Sequence, residues 1–241
     1  MHEAAKTNRL RTEAFRRMYF AGRVIDIGCG SDLVVPHAVP FDLDHGDAQT
    51  ILDYLEPESF DCVHSSHCLE HMRDVRNALA QWWELVRPGG YLVVVVPHEE
   101  LYEQGAWPSV FNSDHKVTFN LGKRSALSPV SYDIGTLVKA LDGAEIIEAC
   151  VQDQGLDYRL VRRRVTRFGR WLFEFARRRQ SFFWRLKQAG FRVYHLNLAV
   201  DSLERLLGKP IDQTEGPALA QIQVVARKST SLNKLLLSVR S

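Results

Sequence analysis

The run Val24 to Gly30, VIDIGCG, constrains the fold of this chain more than any other stretch. It is an apolar strand that ends in an acid and then in two glycines. A strand stopping at a tight glycine turn presents bare backbone amides at its carboxyl end, where the ligands of doubly wound sheets sit. Glycine also lets a ligand come close to that backbone. A second run, Arg87 to Val96 (RPGGYLVVVV), reads as a Pro-Gly-Gly turn feeding a strand aliphatic enough to be buried on both faces. Together the two runs predict an open α/β sheet that holds a nucleotide-type cofactor.

The rest of the chain alternates strand and helix as a mostly parallel sheet requires. Seven strands are expected: Arg23 to Ile27, Pro40 to Leu43, Gln49 to Ile51, Phe60 to Ser65, Tyr91 to Val96, Ala144 to Ala149 and Gln221 to Ala226. Val75, Leu79, Trp82 and Val86 recur at helical spacing, predicting a helix over 74–86 with one face inward. A further helix is expected over 131–141. At 241 residues with 45% apolar side chains the chain can bury a full core. A single domain is expected over 1–241: an N-terminal helix at 1–22, a core of 23–158 and 209–230, a helical insertion at 159–208 and a tail at 231–241. The longest aliphatic stretch, Leu92 to Val96, falls far short of the roughly 20 residues a bilayer span needs. The charged N-terminus has no apolar signal core and reads as a cytosolic helix. Cys29, Cys62, Cys68 and Cys150 form no C-x-x-C pair and read as reduced, packed thiols rather than a zinc site.

Four segments in order, VIDIGCG at 24–30, FDLDHGDAQ at 41–49, FDCVHSSHCLEHMRD at 60–74 and LVRPGGYLVVVVP at 85–97, carry a family resemblance. The chain resembles the class I S-adenosylmethionine-dependent methyltransferases, within the large group often called type 11. A dinucleotide-binding alternative is disfavoured because the third glycine position is Leu33 and because of the Pro-Gly-Gly turn. The resemblance implies a Rossmann-like, doubly wound α/β fold and S-adenosylmethionine as cofactor. It also implies roles for residues. Gly28 and Gly30 would lie against the methionine portion, and Asp26 would order this loop and the cofactor's amino group. The other reading of Asp26 is a turn residue satisfying nearby amides. Asp42 matches the acid that accepts from both ribose hydroxyls, with Asp44 as its competitor. Asp47 and Ala48 match the position that reads the adenine edge, and Ser65 with Ser66 would line the cofactor and the substrate mouth. One departure is plain: only eleven residues separate Gly30 from Asp42, and Pro36 is among them. The family's first helix must be vestigial or replaced by a loop.

The methyl group of a sulfonium is already activated, so the protein mainly holds an acceptor in line at near-attack distance. A sugar hydroxyl additionally needs a positioned base, worth roughly a hundredfold or more. The segment after the strand ending at Val96 offers His98, Asp114 and His115 as catalytic candidates, although a loop histidine also serves as a structural hydrogen-bonder. His98, Glu99, Glu100, Asp114 and His115 could bind a divalent metal, but spacing across a long loop does not establish one, and no metal ligand is assigned. His67 is expected near the cofactor mouth, His71 as a capping or packing residue, and Trp82 and Trp83 in the core. Trp107-Pro108-Ser109, Asn112 to Lys116, Asp212-Gln213-Thr214 and Ala218 to Ile222 further resemble a subgroup associated with bacterial surface-glycan synthesis, which implies a sugar or glycan hydroxyl as acceptor.

Charge is unevenly spread. Residues 159–192 hold twelve Arg or Lys against one acid, Glu174, leaving nineteen bases against twenty-eight acids elsewhere. Val161, Val165, Phe168, Leu172 and Phe175 recur at three- and four-residue steps among arginines, which predicts a basic amphipathic helix. Such a helix, with Trp171, Phe173, Phe182, Phe183 and Trp184, suits an anionic membrane surface and a lipid-linked acceptor. The alternatives are packing on the body or on a second copy of the chain in a homo-oligomer, and RNA binding, for which no separate motif is recognised. The expected activity is O-methylation of a sugar or glycan at the cytoplasmic face. Its rivals are methylation of a small metabolite or lipid precursor, an RNA methyltransferase, and a non-catalytic partner protein that kept the fold.

Overall fold

A computed structural model describes residues 3–122, 128–161, 166–188 and 208–230. Strands β1 (Val24–Ile27), β2 (Val39–Phe41), β3 (Phe60–Ser66), β4 (Val86–Pro97), β7 (Ala144–Gln152) and β8 (Gln221–Lys228) form one sheet in the order β2-β1-β3-β4-β8-β7. β8 pairs antiparallel to both β4 and β7, while β1, β2, β3 and β4 pair in parallel. Five strands therefore run one way and β8 alone runs back. Strands β5 (Thr118–Asn120) and β6 (Ser131–Asp133) make a separate parallel pair.

The mostly parallel α/β sheet agrees with the sequence expectation, but it has six strands and not seven. The segment expected as the third strand, Gln49 to Ile51, lies instead in a 3₁₀-helix, Ala48–Asp53. Asp47 caps it by accepting from the Gln49 amide at 2.8 Å. The Gln49 side chain both donates to and accepts from the Asp74 backbone, and Trp82 Nε1 donates to the Ala48 carbonyl. Those side chains tie the segment to helix α3 (Val75–Glu84), where a strand would have no neighbour to pair with. The helix expected over 131–141 is likewise divided between β6 and helix α4 (Ile134–Lys139), which Asp133 caps.

Alternation along the strands sorts the core into two layers. Ile25, Ile27, Val63, Leu92, Val94 and Val96 meet Val75, Leu79 and Trp82 of α3. Val24, Cys62, Val93 and Val225 meet Tyr19, Phe20, Val34 and Val35 on the other face. Residues Leu92 to Val96 are fully buried, as their aliphatic run implies. The expected N-terminal helix is two short ones, α1 (Glu3–Leu10) and α2 (Glu13–Tyr19), broken where Thr12 caps α2 through the Phe15 amide. Residues 28–38 contain no helix, in line with the short spacing before Asp42. The second face of the sheet is covered instead by the end of α2 and the 33–38 loop.

Of the insertion, helix α5 (Arg167–Gln188) is described. Residues 162–165 and 189–207, with Arg162, Arg163, Arg164 and Val165 among them, lie outside the described residues, as does the 231–241 tail. The expected apolar stripe is corrected: Val161 precedes the helix, and of Phe168, Leu172 and Phe175 only Leu172 is buried. The helix docks through Gly169, Leu172 and Ala176, with Phe173 meeting Phe111 edge-on at 5.3 Å. Small residues at the seam bring the helix close, and that turns the large aromatics outward.

Candidate functional site

A cleft of about 270 Å³ opens at the carboxyl ends of β1, β2 and β3. Its walls are Gly28, Asp42, Leu43, Gly46, Asp47, Ala48, His67, Cys68, His71, Met72 and Asp114. The glycine loop gives it a bare floor. Gly28 sits at φ +74°, and a Cβ there would stand 2.5 Å from the Cβ of Cys68, so no other residue fits without displacement. Gly30, at φ +54°, has nothing within 4 Å of where its Cβ would be, and its amide donates to Asp42 Oδ2 at 2.6 Å.

Asp42 accepts that amide on one oxygen and the Leu43 amide on the other at 2.7 Å. Each oxygen keeps a lone pair for a hydroxyl. Asp44, its competitor, does not line the cleft. Asp47 and Ala48 do line it, with Asp47 also paired to Arg73 at 3.1 Å. Leu43 and Met72 add apolar flanks between which a planar base could stack. Leu43 is 89% exposed, so it packs against little else in the chain.

Two of the expected cofactor residues lie beneath the cleft instead of on it. Ser65 is buried and donates to the Ile27 carbonyl at 3.0 Å. Asp26 is 2% exposed; one oxygen accepts the Val34 amide at 2.7 Å and the other faces His64 Nδ1 at 2.6 Å. This matches the loop-ordering role, and the alternative of satisfying nearby amides; the carboxylate does not reach the cleft wall. His64 Nε2 stands 3.1 Å from Arg11 Nη2, which also donates to Gln223 Oε1. Arginine can only donate, so Nε2 accepts and Nδ1 carries the proton to Asp26. Burial pushes the His64 pKa down against the opposing pull of Asp26, which keeps the ring neutral. Burial likewise lowers Arg11, to about 10.

The catalytic candidates separate. His98 is buried at the end of β4, where its Nδ1 accepts the Glu100 amide and its backbone amide donates to Ala220. Asp114 reaches the cleft. Although adjacent in sequence, Asp114 and His115 pair with different partners: Asp114 Oδ2 with His71 Nδ1 at 2.9 Å, and His115 Nδ1 with Glu103 Oε1 at 2.5 Å. The hydrogen bond from Lys116, with help from His71, holds Asp114 below the ordinary carboxylate range.

Behind these lies Glu70, which sequence reasoning passed over. It is fully buried, and His67, His71 and His115 surround one of its oxygens at 3.5, 3.9 and 3.9 Å. Burial alone would raise its pKa, but the three imidazoles together hold it below the usual value. His67 sits at φ +54°, a left-handed conformation unfavourable for a non-glycine residue. Its Nε2 pairs with Gln221 Oε1 at 2.8 Å. The signal available in the sequence was S-H-C-L-E-H itself, whose two histidines and acid converge once the chain turns through the 3₁₀-helix Leu69–His71.

Three comparisons bear on this arrangement. A family model described as "Methyltransferase domain" matches residues 3–196. No curated protein sequence matches. Among solved structures, the chain is similar to the YcgJ protein from Bacillus subtilis, at 16% identity over 87% of this chain and 92% of that one, with a TM-score of 0.45. It is similar to phosphoethanolamine N-methyltransferase 2 from Haemonchus contortus in complex with S-adenosyl-L-methionine, at 18% identity over 93% of this chain, TM-score 0.47, and spans 52% of that protein. It is also similar to an S-adenosylmethionine-dependent methyltransferase from Thermotoga maritima, at 16% identity over 94% of this chain and 88% of that one, TM-score 0.45.

Proposed function

On the premise that this chain belongs to the methyltransferase-domain family and is an S-adenosylmethionine-dependent enzyme, we propose that it methylates a hydroxyl of a sugar or glycan. The observation that carries this reading is the group of imidazoles and carboxylates at one side of the cleft, with His67, His71 and Asp114 on its wall and Glu70 and His115 buried behind them. An amine acceptor that binds unprotonated needs little beyond alignment, whereas a hydroxyl must lose its proton as the methyl arrives.

The residues present fit the cofactor. The bare backbone of Gly28 and the open space over Gly30 suit its methionine portion, Asp42 has lone pairs for two ribose hydroxyls, and Leu43, Met72, Asp47 and Ala48 suit an adenine ring. The bound cofactor supplies the activated methyl group. The chain's own part is to hold the acceptor oxygen in line, exclude water around it and receive the proton. Asp114, on the cleft and oriented by His71 and Lys116, is placed to accept a hydrogen bond from that hydroxyl.

The sugar assignment draws on the four stretches that resemble the glycan-associated subgroup. The loop after β4 and the chain leading into β8, which carry them, meet in space: Gln104 donates to the Ile211 carbonyl and the His98 amide donates to Ala220. The polar groups that do line the cleft on this side, His67, His71 and Asp114, suit a polyol better than an apolar metabolite. An acceptor carried on a lipid would bring the exposed aromatic face of α5 to an anionic membrane surface.

Calorimetric titration with S-adenosylhomocysteine tests the cofactor site. Micromolar binding by the wild type, lost in Asp42→Ala, is expected. No binding by the wild type would favour a non-catalytic relative. Transfer of labelled methyl to lipid-linked sugars but not to amines is then expected, and transfer to an amine alone would overturn the hydroxyl assignment.

A further inference from the structure

We propose that Glu70, His71 and His115 form a site for one divalent transition-metal ion of the zinc type, set in the side of the cofactor cleft. Their donor atoms all lie within 4.8 Å of one another. The Nε2 atoms of His71 and His115 each stand 3.9 Å from the same Glu70 oxygen, too far for a hydrogen bond. Two ligands of a tetrahedral ion, with bonds of about 2.0–2.2 Å, stand roughly 3.4 Å apart. Closing each gap by about half an ångström therefore seats an ion between them.

The state of Glu70 points to a ligand independently of these spacings. The residue is fully buried and neither carboxylate oxygen has a partner at normal hydrogen-bond distance, the nearest donor being His67 Nδ1 at 3.5 Å. A buried carboxylate left so is costly unless a cation or donors meet it.

The imidazoles are also oriented as ligands. His71 Nδ1 lies 2.9 Å from Asp114 Oδ2, and His115 Nδ1 lies 2.5 Å from Glu103 Oε1. An ionised carboxylate only accepts, so each Nδ1 carries the proton and each Nε2 presents its lone pair toward Glu70. A second carboxylate behind each histidine is the arrangement that fixes metal-bound imidazoles. Two nitrogens and one carboxylate select zinc, iron, cobalt or nickel over magnesium or calcium, which take oxygen ligands.

Three protein ligands leave one position of a tetrahedral ion open. Because His71 and Asp114 line the cleft, the cleft is the side from which an oxygen of water or of the acceptor can reach that position. This last step rests on the hydroxyl reading above, and the metal site does not.

The test is elemental analysis of the tag-free full chain after dialysis against Zn²⁺, with Co²⁺ substitution read by visible absorption. One equivalent per chain is expected, with Co²⁺ bands of a site below six-coordinate. Glu70→Gln and His71→Ala should each weaken binding at least a hundredfold, and Glu103→Gln, one layer out, by about ten- to a hundredfold. His71 is partly exposed, so its replacement leaves the fold intact, which circular dichroism checks. Zinc well below one equivalent in the wild type, or unchanged affinity in His71→Ala, overturns the site. Metal bound as expected with no methyl transfer to any hydroxyl would sink the functional reading and leave the site standing.

Discussion

At the residue scale, the chemistry is organised by pairs that the linear order of residues does not give. Asp114 and His115 are neighbours in sequence, yet each orients a partner from elsewhere: His71 from after β3, and Glu103 from the loop after β4. Glu70 and His71 were legible as residues of the S-H-C-L-E-H stretch, but their convergence depends on a turn that no periodicity announces. Asp26 was legible as an important acid; that it faces inward depends on His64 and Val34 lying opposite it. His64 has a consequence for stability. Its folded pKa is lowered by burial, so the native state keeps the ring neutral while the unfolded chain protonates it near its ordinary value of 6.5. The unfolded state then binds more protons below that pH, and stability falls as pH drops through the window between the unfolded and folded values. Urea denaturation from pH 7.5 to 5.5 should reveal a component of up to about 1.4 kcal/mol per pH unit. It should be missing in His64→Asn, and equal slopes in the two proteins would refute the assignment.

At the element scale, what decides function is which face an element offers. The 3₁₀-helix Ala48–Asp53 replaces an expected strand and in doing so brings Asp47 and Ala48 to the cleft rim. Periodicity in α5 predicted an amphipathic helix correctly, yet not its seam, because docking through Gly169 and Ala176 depends on a partner loop that the helix's own sequence does not encode. The outcome is an exposed ladder of Phe168, Trp171 and Phe175, stacked at 5.9 and 5.6 Å, with Phe182 further along and Arg167 and Arg178 exposed on the same helix. No described helix is long and apolar enough to cross a membrane. Lying on one is a different matter, since aromatics enter the headgroup boundary while arginines meet lipid phosphates. Co-sedimentation with vesicles rich in anionic lipid is expected for the wild type. Trp171→Ser with Phe175→Ser should abolish most of it while changing stability by no more than about 0.5 kcal/mol per exposed site. Sedimentation that the double replacement leaves untouched would assign the ladder to another partner.

At the scale of the whole molecule, the N-terminal helices and the last described strand close the fold together. β8 enters between β4 and β7, and the N-terminal segment lies across it: Gln221 donates to Thr7, Arg11 bridges His64 of β3 and Gln223 of β8, and Lys6 donates to the Thr214 carbonyl. Arg11→Met keeps the bulk against Phe15 and Phe20 but strands the His64 and Gln223 acceptors. A loss of roughly 1–3 kcal/mol is expected, which thermal unfolding would register as a Tm lower by about 2–4 °C for each kcal/mol. An unchanged Tm would mean that the bridge contributes nothing. The sequence by itself determined the sheet's central strands, the glycine loop at their carboxyl ends and the acids beside it. Those features follow from local rules, namely burial of aliphatic runs, backbone freedom at glycine and the spacing of apolar positions. Only the tertiary structure decided that Asp26 and Ser65 lie under the cleft, that Asp42 and not Asp44 lines it, and that Glu70 is ringed by histidines. Each of those depends on which residues from distant segments arrive on the other side, and a burial pattern along one segment carries no record of what it will be buried against.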